Sequence, residues 1–105
     1  MPNPADLQII IFMSQECPHC YKLKTKVLID DRVVRSMGKY YGGKPLFLYK
    51  GTETYSEAKD IFDVVHLPCI IIMDQRRNEV KRTYFLEAQE MNEFLDLGEV
   101  HDYSQ

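Results

Sequence analysis

The sequence predicts an α/β domain with a central mixed β-sheet of about four strands flanked by helices. Three features predict it. Residues 7–13 and 69–73 are almost unbroken aliphatic and β-branched runs, the pattern of strands covered on both faces. Segments with apolar residues at helical spacing lie between and after these runs. The resulting order is strand, helix, strand, helix, strand, strand, helix, which alternates the two periodicities as layered α/β domains do.

Each element has its own justification. Residues 7–13 read as a central strand. After it, Cys20, Leu23 and Val27 keep helical spacing until Asp30-Asp31 interrupts the stripe. Val33, Val34, Met37 and Tyr41 restart it, as one kinked helix or as a second helix capped by an Asp and ended at Gly38. Gly42-Gly43 is a turn, Lys44-Pro45 cannot continue a helix, and residues 46–50 form a short strand. Thr54 and Glu57 make a capping box for a helix over 55–65, with Tyr55, Ala58, Ile61, Phe62 and Val65 on its apolar face. Leu67-Pro68 stops it, and the strand 69–73 follows. Residues 74–79 form a hairpin turn, with Asn78 taking positive φ, into an antiparallel strand over 80–86. Ala88, Met91, Phe94 and Leu95 form a last helix, ended near Gly98.

With 105 residues, 45% apolar and 28% charged, the chain is read as one domain spanning 1–105. Its ordered core is placed at about 7–97 and a polar tail at 99–105. The longest apolar runs fall far below the roughly 20 residues a membrane span needs. Residues 1–6 have neither a basic nor an apolar signal region. A cytoplasmic protein is expected if Met1 is native, and a periplasmic or secreted one if a signal has been removed. A net charge of −3 gives no nucleic-acid footprint, and Arg76-Arg77 and Lys81-Arg82 are assigned to guarding a hairpin and a sheet edge. A monomer is expected. Three cysteines, a pair and a single, do not make a disulfide-stapled scaffold.

The chemistry is stated by Cys17-Pro18-His19-Cys20, between the first strand and the first helix. Two thiols at this spacing close a small disulfide or share a metal, and the strand-to-helix setting favours redox. Cys17 at the helix start gains from unpaired N–H groups and the macrodipole, which favour the attacking thiolate. Pro18 suits a first helical position. On this reading Cys17 forms a mixed disulfide with a partner and Cys20 resolves it, with no organic cofactor. His19, if protonated, stabilises the thiolate, the alternative being a solvated loop residue, whereas Glu16 opposes it. Tyr21 reads as a half-buried helix residue, the alternative being one that faces a partner. Two other functions compete. Cys17, Cys20, His66 and Cys69 form a set that tetrahedral zinc would accept, and the module could be a redox-inert binding domain. Cys69 reads as a buried small apolar residue, with a third redox thiol or a metal ligand as the alternative.

From residue 7 to about 97 the sequence resembles the thioredoxin superfamily. Residues 12–20 (Phe-Met-Ser-Gln-Glu-Cys-Pro-His-Cys) are similar to its strand-to-helix junction, with the Cys-Pro-His-Cys choice of DsbA-type oxidases but no large helical insertion. Residues 27–34 (Val-Leu-Ile-Asp-Asp-Arg-Val-Val) are similar to DsbD C-terminal reductases, 62–68 (Phe-Asp-Val-Val-His-Leu-Pro) to the segment leading to the cis-proline, and 93–96 (Glu-Phe-Leu-Asp) to the closing helix. The resemblance implies a thioredoxin fold and a protein thiol-disulfide oxidoreductase with a redox-active Cys17–Cys20 disulfide. Its partners would be proteins with cysteines or disulfides and an upstream redox partner. It also implies that Pro68 is cis and packs beside the dithiol, leaving the Leu67 backbone to pair with substrate. On that placement Cys69 would come close to Cys20. Three positions depart from the pattern: Ile11 stands where a buried acid is usual, Glu16 where an aromatic often precedes the first cysteine, and Cys69 where Thr often follows the proline.

Overall fold

The computed structural model describes residues 7–97. The expected signal-free start (residues 1–6), the Gly98 helix end and the 99–105 tail lie outside them. Strand β1 (Gln8–Met13) runs parallel to β2 (Leu46–Tyr49) and antiparallel to β3 (Cys69–Met73), which pairs antiparallel with β4 (Glu79–Thr83). The mixed sheet is ordered β2-β1-β3-β4, so both aliphatic runs are interior strands. Their side chains alternate between two apolar layers, as the period of 2 requires. Ile9, Ile11, Met13, Ile70 and Ile72 face one layer, and Ile10, Phe12, Cys69 and Ile71 the other.

The first layer is closed by three helices. Helix α1 (Pro18–Lys22) continues as a π-helical turn (Leu23–Val27), in which the Leu28 N–H reaches back to the Leu23 carbonyl at 2.9 Å. This widened turn lets Leu23 and Val27 both point inward before the chain breaks at residue 30. Asp30 caps a separate helix α2 (Asp31–Tyr41), its carboxylate accepting the Arg32 N–H at 2.9 Å. The restarted apolar stripe is therefore a second helix. It passes Gly38, contrary to expectation, because Tyr40 and Tyr41 are still core residues; the left-handed Gly42 (φ 75°) ends it instead. Helix α4 (Ala88–Leu95) packs on α2, where Ser36 hydrogen-bonds Asn92 and the Tyr41 hydroxyl donates to the Leu95 carbonyl at 2.8 Å.

Helix α3 (Glu53–Phe62) covers the second layer with Tyr55, Ala58 and Phe62. Its cap is Thr52, whose hydroxyl accepts the Tyr55 N–H at 3.2 Å, so the Thr54–Glu57 box falls inside the first turns. It ends at Phe62 because Asp63 adopts a left-handed conformation (φ 53°), three residues short of the expected boundary. Val65 consequently lies beyond the helix and is 70% exposed, and Ile61 is exposed too, so neither is core. In the β3–β4 hairpin the positive φ belongs to Arg77 (66°), not Asn78. The Asp74 carboxylate accepts the Arg76 and Asn78 N–H groups, both at 2.9 Å, and holds the chain in that bend.

Candidate redox site at the end of strand β1

The parallel strand β1 delivers the chain to its carboxyl end at Met13, where open α/β sheets place their sites. A tight turn follows, the Ser14 carbonyl accepting the Cys17 N–H at 3.3 Å. Cys17 remains extended (φ −101°, ψ 111°) and acts as N-cap of α1, with Pro18 in the first helical position. Its sulfur accepts the Cys20 N–H at 3.2 Å and is bonded to the Cys20 sulfur, the two Cα atoms 5.1 Å apart. Cys17 is half-buried at the rim and Cys20 is buried beneath it. The two thiols thus differ in access, and only the outer one receives the helix-end N–H.

The walls come from distant segments. The Leu67–Pro68 peptide is cis, and the Leu67 carbonyl oxygen lies 3.8 Å from the Cys17 sulfur. On the same rim, His66 is exposed against the Tyr84 ring. Residues 84–87, after β4, wrap the start of α1. The His19 ring lies 4.9 Å from that of Phe85, the Lys22 ammonium sits 5.5 Å from the Phe85 centroid, and Lys22 pairs with Glu87 at 2.9 Å. On the opposite side of the dithiol is a cleft of about 300 Å³ lined by Met13, Ser14, Gln15, Cys20, Tyr21, Lys24 and Tyr49. Lys24 hydrogen-bonds the Tyr49 hydroxyl at 2.7 Å across it. Tyr21 projects from this wall with 72% of its surface exposed, not half-buried as expected, because its position on α1 turns it away from the sheet.

Cys69 is not part of this assembly. Strand alternation sends it to the α3 layer with Phe12 and Tyr55, whereas Cys20 belongs to the other layer, so the sheet separates the two thiols. Burial pushes the Cys69 thiol up, an effect the neighbouring Arg82 opposes. The four residues considered for zinc are therefore not brought together. Among the described residues no group of three or more His, Cys, Asp or Glu could hold a metal ion.

Tyr84, Phe85, Tyr49 and Lys24 were not singled out from sequence. The Tyr84-Phe85-Leu86 run reads as a continuation of β4, but pairing stops at Thr83 and the aromatic residues turn to the site. Tyr49 reads as ordinary strand, and only the parallel register that sets Met13 beside it brings it to the dithiol.

Neither a family model nor a curated protein matches this sequence. Solved structures do. A thioredoxin from Thermus thermophilus superposes with a TM-score of 0.74 at 21% identity, over 87% of this chain and 72% of that one. A DsbH oxidoreductase gives 0.71 at 14% identity, over 85% and 69%. The reduced DsbD C-terminal domain of Neisseria meningitidis gives 0.67 at 12%, over 88% and 80%. The fold is that of the thioredoxin superfamily. Its four-stranded mixed sheet and the Cys17–Cys20 pair at the end of β1 agree with that likeness.

Proposed function

We propose that the protein is a thiol-disulfide oxidoreductase that exchanges disulfides with cysteine-bearing partner proteins and an upstream redox partner through Cys17 and Cys20. One observation carries the reading: Cys17 caps α1 at the carboxyl end of β1, with its sulfur on the Cys20 N–H and its only covalent sulfur partner buried below. A partner thiolate attacks the Cys17 sulfur, and the Cys17–Cys20 bond breaks. The Cys20 thiolate that leaves takes up a proton, and the mixed disulfide holds the partner at the rim. In the reverse direction Cys20, deprotonated, attacks Cys17 and expels the partner thiolate. When Cys17 is the leaving or attacking thiolate, the Cys20 N–H and the helix end stabilise its charge. Pro18 fixes the first turn, and His19, in that turn, rests with its ring tilted against Phe85. Leu67 and Pro68 support partner binding in this reading, since the Leu67 carbonyl faces the sulfur that reacts.

Trapping tests the assignment. Cys20→Ser should accumulate mixed disulfides with partner proteins that reductant releases, and Cys17→Ser should not. Equal trapping by Cys17→Ser and none by Cys20→Ser would reverse the roles. Failure of the unaltered protein to exchange with glutathione or to reduce insulin would remove the function.

A further inference from the structure

The two edges of the sheet are built differently. The β4 edge carries Glu79, Lys81 and Arg82 and pairs with β3 through a register shift, devices that discourage strand addition. The β2 edge, Leu46-Phe47-Leu48-Tyr49, has no charge, no internal proline and an unbroken register against β1. Beside it runs a groove of about 400 Å³ whose floor is Leu28, Ile29, Val34, Met37, Pro45 and Phe47. Ile29 and Val34 are 65% and 49% exposed there. Lys24 and Lys44 also line it, with no carboxylate among the lining residues. Lys24 also lines the cleft at Cys20, so groove and cleft share this one residue.

We propose that this edge receives an extended segment of a partner protein bearing aliphatic side chains and carboxylates. The segment adds a strand to β2 by main-chain hydrogen bonds. Its alternate side chains enter the groove on the face where Phe47 lies, and its carboxylates meet Lys24 and Lys44. Charge selects this occupant over a second copy of the chain. Two-fold pairing through β2 would set the lysines of one copy against those of the other. The surface is separate from the Leu67 rim, and its occupation does not depend on the redox reading.

The probe is a capped peptide of alternating valine and threonine with a glutamate at each end, titrated while backbone amide and methyl resonances are followed. Shifts are expected at Leu46–Tyr49, Ile29 and Val34. Lys44→Glu should weaken binding by about fivefold, the worth of an exposed ion pair, and a lysine-ended peptide should regain that factor on the variant. Val34→Glu, at an exposed position, should abolish binding with the fold intact. Absence of shifts at millimolar peptide, or shifts confined to the Leu67–Cys69 segment, would overturn the proposal. So would a dimer in sedimentation that Val34→Glu dissociates, since a second copy would then own the edge. Peptide binding by a protein that exchanges no disulfides would leave this inference standing while removing the redox function.

Discussion

Cys69 shows how one residue's role follows from which side of a strand it occupies. A thiol whose ionisation is opposed by burial keeps its proton at neutral pH, and the sheet blocks its path to Cys20. Reduced native protein should therefore show one fast-alkylating thiol, Cys17, with Cys69 labelled only in denaturant. Cys69→Ala should keep the exchange activity and lose about 1–2 kcal/mol at the small cavity left behind. Mass spectrometry of briefly alkylated protein checks the first point; rapid native labelling of Cys69 would refute it. The sequence made the burial of Cys69 legible, because a free cysteine opening an aliphatic run is a core residue. It did not reveal the facing direction, which depends on a register set by β1 over 50 residues away in sequence. Cys17, Pro18 and Cys20 were legible because their chemistry is local, whereas Tyr49 and Phe85 reach the site only through tertiary pairing.

Helices α2 and α4 are joined by polar contacts as well as by packing, among them the buried bond from the Tyr41 hydroxyl to the Leu95 carbonyl. Burial, reinforced by the Asp96 and Tyr40 charges, pushes the Tyr41 phenol above its ordinary range. A folded-state value above the unfolded one means that the stability is complete below the unfolded value, near pH 10, and is lost as pH rises toward the folded one. Denaturant midpoints should consequently fall as pH rises above about 10. Tyr41→Phe should cost about 1 kcal/mol at neutral pH and make the alkaline fall shallower. An equally steep fall in the variant would exclude Tyr41 as its cause. At this scale the sequence located every helix among the described residues but misplaced several ends. Thr54 alone carries the capping-box signature, with Glu57 three positions on, but Thr52, its hydroxyl also held on the Tyr49 carbonyl, is the residue that caps.

Across the whole molecule, β1 is the hub, paired on both sides and covered by two layers. Both interior strands announced themselves by aliphatic runs, so the architecture was legible; the two short outer strands were less so, having one hydrogen-bonded neighbour each among the described residues. Pairing distances along the chain also differ. The β3–β4 hairpin joins near neighbours, while Gln8 meets Met73 and closes a loop of more than 60 residues. Local contacts form at lower entropic cost, so the hairpin should acquire protected amides before β1 during refolding. Pulsed hydrogen exchange on the millisecond scale checks this, and simultaneous protection of both would refute it. The same order of pairing governs the newly made chain. Cys17 and Cys20, three positions apart, can be oxidised as soon as they emerge, but Leu67 arrives beside them only when the long loop closes. Until then the disulfide so formed is open to any thiol in solution, and on the proposed reading it becomes selective only as the last strand pairing forms.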